Sequence, residues 1–279
     1  MRRTAALTTA ALIALTACSN DDDDDLESLV PAAADSPVAA GPPAGDGPSQ
    51  TLGNGKVWTY VTSAAGQPVE VGVRFSATAL EGLASDTHGD LHPVAMVLNF
   101  PTDAATGVLD HVELYWNPQG HEPPGVWDKA HFDYHFYLTD EAAVREIVPT
   151  APDFAAKAAR IPDAKYIAAD FVAPPGTAVE NTIPGMGLHW LDGTEPPVPG
   201  QYTFTETMIH GSYDGAVTFI EPMITREWLL TKPTLNEAIK QPQAYQRTGL
   251  WPTTYSVRFD SATNEYSVAL GGFVQRTSS

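Results

Sequence analysis

HFDYHFYL, residues 131–138, is the stretch that decides the fold. Its aromatic residues favour a pleated strand, and side chains on a strand alternate between two faces. His131, Asp133, His135 and Tyr137 then share one face, with Phe132, Tyr134, Phe136 and Leu138 on the other. HVELYW, residues 111–116, alternates the same way, setting His111, Glu113 and Tyr115 against Val112, Leu114 and Trp116. If the two segments pair, their apolar faces enter one core, so their polar faces must coincide. That would put His, Asp, Glu and Tyr together on one side of a sheet, where they can line a ligand cavity or bind a metal ion.

Outward from this pair, the sequence predicts more strands. KVWTYVTS (56–63) and VEVGVRF (69–75) form a hairpin turning at 64–68. Further strands fall at 93–100, 165–172, 201–210 and 215–224, and a last hairpin at 253–260 and 264–274 turns near Ser261 to Asn264. Asp214-Gly215 in HGSYDG is a hairpin turn pair. Helices are predicted at 140–148, 152–160, 225–231 and 234–240, with a short one after Ser76. The acids of Thr139-Asp140-Glu141 suit the positive end of a helix dipole. The expected class is α+β: mostly antiparallel β-sheet or a partial barrel with a few packed helices.

All eight histidines lie between residues 88 and 210. The metal-ligand candidates are His131, His135, His189 in GMGLHW and Glu221 in FIEPM. His111, Glu113, His121, Asp133 and Tyr137 complete a candidate ligand patch. Geometry restricts the choice: positions i and i+4 on a straight strand are about 13 Å apart, while a zinc–nitrogen bond is about 2 Å. His131 and His135 can share an ion only across a bulge or a helical turn. Zinc or copper is the candidate cofactor. The string lacks the glutamate of HExxH and the H-x-H pair of cupins. There is no G-x-S-x-G, P-loop or complete Rossmann fingerprint, and no catalytic residue is assigned.

The two ends of the first fifty residues read as an address and a tether. Arg2 and Arg3 precede an uncharged apolar run, too short to span a bilayer, that ends in Leu15-Thr16-Ala17-Cys18. This resembles a bacterial lipobox and implies a signal peptide over 1–17 and lipidation of Cys18, the only cysteine. Residues 18–50 contain the unbroken run Asp21 to Asp25, then Ala, Pro and Gly, with no aromatic residue and no Lys or Arg. They are expected to form a disordered tether spanning about 30 Å on average. Residues 51–279 are expected to form a single domain.

Composition narrows the function. With 34 acidic and 15 basic residues, the chain carries a formal charge of -19; phosphate contacts need Lys and Arg, so nucleic acid is excluded as a partner. One cysteine excludes a disulfide framework and a multi-cysteine metal site. The 24 prolines and 22 glycines favour many turns.

VRF (73–75), ALEGL (79–83), NFP (99–101), GHEPPGVWDKAHFDYHFYL (120–138), MGLHW (186–190) and GSYDGAVTFIEPMIT (211–225) carry a family resemblance. The chain resembles secreted bacterial proteins of unassigned function known from a Thermus envelope-stress (sigma-E) regulon. Ala130 stands where that pattern has Pro, a departure that leaves the histidines in place. The resemblance implies an α+β envelope domain and a homo-oligomer, and carries no catalytic residues. The leading expectation is an extracytoplasmic lipoprotein, anchored in the membrane of the cell envelope, whose domain binds a ligand or metal. The alternatives are a metal-dependent enzyme using His131, His135 and His189 with Glu221 or Asp133, and a structural homo-oligomer.

Overall fold

The computed structural model describes residues 43–86, 95–195 and 197–279. The signal sequence, Cys18, the tether up to residue 42, His88 and His92 lie outside the described residues. In chain order the strands are β1 (Pro43–Asp46), β2 (Gln50–Leu52), β3 (Gly55–Ala64), β4 (Gln67–Ser76), β5 (Met96–Asn99), β6 (His111–Asn117), β7 (His131–Tyr137), β8 (Phe171–Val172) and β9 (Thr182–Ile183). They continue as β10 (Gly187–Asp192), β11 (Glu206–Tyr213), β12 (Ala216–Thr225), β13 (Thr234–Ala238), β14 (Gly249–Trp251), β15 (Thr254–Asp260), β16 (Glu265–Gly271) and β17 (Val274–Arg276). The first sheet runs β1-β3-β4-β16-β15-β13, with β2 also on β3; the second runs β5-β6-β7-β12-β11-β10-β8, with β9 on β10. Every pairing between these strands is antiparallel, as is that of β14 with β17.

The inner faces of the two sheets meet in one core. Val57, Val61, Val71, Val73 and Phe75 come from the first sheet, and Val112, Leu114, Phe132, Tyr134, Phe136 and Ile220 from the second. Phe75 marks the contact: its ring centroid lies 6.4 Å from that of Phe132 and 6.5 Å from that of Tyr134. Face-to-face burial of alternating apolar residues is what holds a β-sandwich together.

The fold is therefore predominantly β, which corrects the expected α+β class. The α-helices are single turns: α1 (Glu141–Arg145), α2 (Phe154–Ala158) and α3 (Arg226–Leu229). Asp140 does cap α1, accepting from the Ala143 amide at 3.0 Å. Pro149 and Pro152 follow α1 and Pro162 follows α2, so neither run extends far enough to repay its costly nucleus. The helix expected at 234–240 is instead edge strand β13, paired with β15 from Thr234↔Arg258 to Ala238↔Thr254. The open edge of β15 supplies hydrogen bonds that outweigh helix propensity. After Ser76 there is only a 3₁₀ turn, Ala77–Leu80. The strand expected at 165–172 is a 3₁₀ turn, Ala164–Tyr166, followed by two-residue β8. The sequence ends the tether at residue 50, but β1 already pairs with β3 from Pro43, with a bulge before Gly45. An edge strand tolerates such a proline.

The hairpin readings hold. Ala65 and Gly66 take φ of 50° and 75°, and Asp214 and Gly215 take 53° and 76°, as two-residue turns matching strand twist require.

Candidate metal centre

β6 and β7 pair in the register that joins their polar faces: His111↔Tyr137, Glu113↔His135, Tyr115↔Asp133 and Asn117↔His131. β12 lies on the other side of β7, with Phe219↔Tyr137 and Met223↔Asp133, so Glu221 falls beside His135. All seven residues of β7 are buried, because the outward face of the second sheet is itself covered. Val126, Trp127, Val144, Met186 and Phe204 close over Tyr115, Tyr137, Phe219 and Met223. The histidines thus stand in a lined interior with the connecting loops as its roof.

β7 is straight, so its two histidines belong to different clusters. The inner cluster is His135, His189 and Glu221; the outer one is His121, His131 and Asp133. In each, one donor atom per residue lies within 4.8 Å of the others. Of the four metal candidates, three meet in the inner cluster. His131 is the exception: it joins His121 and Asp133, which the sequence reading placed in the ligand patch.

In the inner cluster, Glu221 Oε2 is 3.4 Å from His135 Nε2 and 3.5 Å from His189 Nε2. Two ligands about 2.1 Å from a tetrahedral ion stand about 3.4 Å apart. His189 reaches this point through a vacancy in β11. A Cβ on Gly211 would lie 1.9 Å from the Phe219 ring, so only glycine lets that ring fold over β11 and pack 5.1 Å from the His189 ring. Both ring nitrogens of His135 and Oε2 of Glu221 are buried and have no hydrogen-bond partner among the described residues. Orphaned polar atoms are costly in a core. Burial, together with repulsion from His189, pushes the His135 imidazole down to about 3. Burial, and then the charge of Asp133, pushes the Glu221 carboxyl well above the usual carboxylate range. A neutral imidazole is the ligand form, and Glu221 must lose a proton to become one.

The outer cluster is more polar. Asn117 Nδ2 donates to Asp133 Oδ2 at 2.7 Å, and His131 Nε2 stands 3.0 Å from Asp133 Oδ1. Burial opposes ionisation of Asp133, yet attraction to His131 and hydrogen bonding to His121 hold it well below the usual carboxylate range. For His121, burial works against the charged form, but its interaction with Asp133 outweighs this and raises its pKa.

The remaining patch residues have other partners. Glu113 accepts from the Tyr115 hydroxyl at 2.7 Å and lies 3.8 Å from His111 Nε2. His111 Nδ1 is 2.9 Å from Asp110 Oδ1; burial disfavours its charge, but hydrogen bonding to Glu113 and Asp110 raises its pKa. Tyr137 donates to the Gly185 carbonyl at 3.2 Å. Asn117 went unread as a site residue, although it continues the alternation 111, 113, 115 by one more step.

The family model described as hypothetical protein TTHB210 (TTHB210-like) matches residues 63–116. Over that stretch, from the end of β3 through most of β6, the chain is similar to that family. His111 and Glu113 lie within it, and both three-residue clusters lie beyond it. The comparisons with curated proteins and with solved structures gave no match.

Proposed function

We propose that this is an envelope lipoprotein, anchored through Cys18, whose domain binds a transition-metal ion between His135, His189 and Glu221. The observation that carries this reading is the spacing of 3.4 and 3.5 Å among three donor atoms, two of which have no other partner among the described residues. Two imidazoles and one carboxylate suit zinc or copper(II). The Leu15-Thr16-Ala17-Cys18 string supports the anchor, and the acidic stretch after it would hold the domain off the lipid surface. The resemblance of its sequence motifs to secreted envelope-stress proteins, as read from the sequence, is in keeping with the same compartment. With His135 and Glu221 only 1% and 2% exposed, the inner cluster suits retention of an ion better than turnover of a substrate.

The test is a thermal melt of tag-free protein at pH 7.5, with and without zinc or copper. At a hundredfold excess over the dissociation constant, one bound ion stabilises the native state by about 2.7 kcal/mol. Glu221→Gln keeps the shape of the protonated carboxyl, so it leaves the metal-free fold intact and should lose this site's share of the increment. Equal increments in wild type and Glu221→Gln would remove the assignment. For the anchor, Cys18→Ala should release the protein from the membrane fraction; unchanged partition into detergent would refute lipidation there.

A further inference from the structure

The outer cluster has a feature that an ordinary polar patch lacks. His131 Nδ1 lies 2.7 Å from the Lys129 carbonyl oxygen, and His121 Nδ1 lies 2.8 Å from that of Glu122. A carbonyl only accepts, so each Nδ1 carries a proton, and Nε2 is the lone-pair atom of each ring in its neutral form, the form that binds a metal. Both lone pairs converge on one carboxylate, at 3.0 Å from Asp133 Oδ1 and 3.7 Å from Asp133 Oδ2. With both rings neutral three acceptors meet there; the Asn117 amide donates to Asp133 Oδ2 at 2.7 Å and lies 3.3 Å from His131 Nε2, while Asp133 Oδ1 is buried with no hydrogen-bond donor among the described residues. The 3.0 and 3.7 Å separations bracket the edge of about 3.4 Å expected for ligands around a tetrahedral zinc-sized ion. Backbone carbonyls that fix the tautomer of ligating histidines are the usual outer support of such a centre.

The loop between β6 and β7 is shaped to bring His121 there. Gly120 turns the chain at φ +74°, where a Cβ would lie 1.9 Å from the Trp127 carbonyl oxygen. The His121 amide then donates to that same carbonyl at 3.1 Å. The Trp127 ring packs 5.5 Å from the His121 ring, which stands 4.7 Å from that of His131. A loop with no site to build would not need to fold His121 back over the sheet.

We infer that His121, His131 and Asp133 form a second metal site for a divalent zinc-class ion, filled independently of the inner one. Four residues of straight strand, about 13 Å, separate His131 from His135. That is too far for a two-metal centre, whose ions lie about 3.5–4 Å apart. The His121 side chain is 25% exposed, so this site opens to solvent more than the inner one, where His189 is 14% exposed and His135 and Glu221 are buried. The fourth position, on the solvent side, is left for water or a small ligand. The site stands on different residues from the inner centre, so either can fail without the other.

The test titrates cobalt(II) into the metal-stripped full chain carrying no His tag, reading bound ions per chain and the visible ligand-field bands. Wild type should bind two ions. His121→Ala, a change in a solvent-reaching loop, and Asp133→Asn, of the same shape, should each bind one. Glu221→Gln should bind one, and His121→Ala with Glu221→Gln none. Glu221→Gln binding no cobalt would overturn the second site, as would two ions in both His121→Ala and Asp133→Asn. One ion in wild type that survives Glu221→Gln and vanishes with His121→Ala would support the outer site and reject the inner one.

Discussion

On the outward face of the first sheet, Arg258 Nη2 donates to both oxygens of Glu70 at 2.6 and 2.8 Å, and the Arg74 guanidinium lies 4.1 Å over the Tyr60 ring. On the outward face of the second sheet, Asp133 and Glu221 face imidazoles, and among the described residues neither pairs with a lysine or arginine. Both faces follow from the same strand alternation. The first carries its own permanent cations and stands half in water, so its charges are matched. The second is roofed over, and its carboxylates face imidazoles instead of permanent cations, so the balancing charge must be a proton or a bound ion. One sheet is finished by its sequence alone, while the other needs a cation from its surroundings.

Four measurements test this contrast, from the largest effect down. Phe132→Ala removes a ring both sheets share, so it should cost about 3–5 kcal/mol in urea unfolding whether or not metal is present. A loss confined to the metal-loaded protein would mean that the core does not couple the sheets as described.

The next uses acid. Burial pushes the His210 imidazole on β11 down to about 4, against about 6.5 in the unfolded chain. The unfolded chain therefore binds the proton first. This stability is present above pH 6.5 and is lost as pH falls towards 4, by about 3 kcal/mol at most. His135, pushed lower still, should extend the same slope. Urea melts at pH 7 and pH 4.5 should show the loss, and His210→Gln should reduce it. Equal slopes in wild type and His210→Gln would contradict the assigned burial.

Zinc binding comes third, because a supplied cation must displace protons. With the Glu221 carboxyl raised well above its usual range, loading the inner site at pH 7 should release a proton that Glu221→Gln does not, and affinity should rise with pH. Calorimetry in buffers of different ionisation enthalpy counts that proton. Identical release from both proteins would show that Glu221 gives up no proton on binding, against its raised pKa.

The smallest effect belongs to the first sheet. The Arg258 side chain is 39% exposed, so Arg258→Ala should cost only about 0.2–1 kcal/mol, less at high salt. A metal-dependent cost there would erase the contrast between the faces.

The contrast was partly legible in the sequence. HVELYW and HFDYHFYL announce a polar and an apolar face and contain no lysine or arginine, and pairing through a shared core forces their polar faces together. The Asp214-Gly215 turn was equally readable, since the left-handed conformation restricts residue choice; at 64–68 only the span of the turn was readable, because Ala65 carries no such signal. The assortment of histidines was not readable. It depends on a straight β7, on the glycine turn that returns His121, and on Phe219 folding over Gly211 beside His189, all set by contacts distant in sequence. The helices were overread for a related reason: a capping residue announces a start, but closely spaced prolines decide how soon it ends. β13 shows the opposite failure, where the open edge of β15 recruits a segment of helical composition.

The most direct test is crystallography of zinc-soaked protein with data collected on both sides of the zinc absorption edge. The account predicts an anomalous peak within about 2.2 Å of His135 Nε2, His189 Nε2 and a Glu221 oxygen. A soaked crystal with no peak between these side chains, and with Glu221 instead hydrogen-bonded directly to His135, would contradict it.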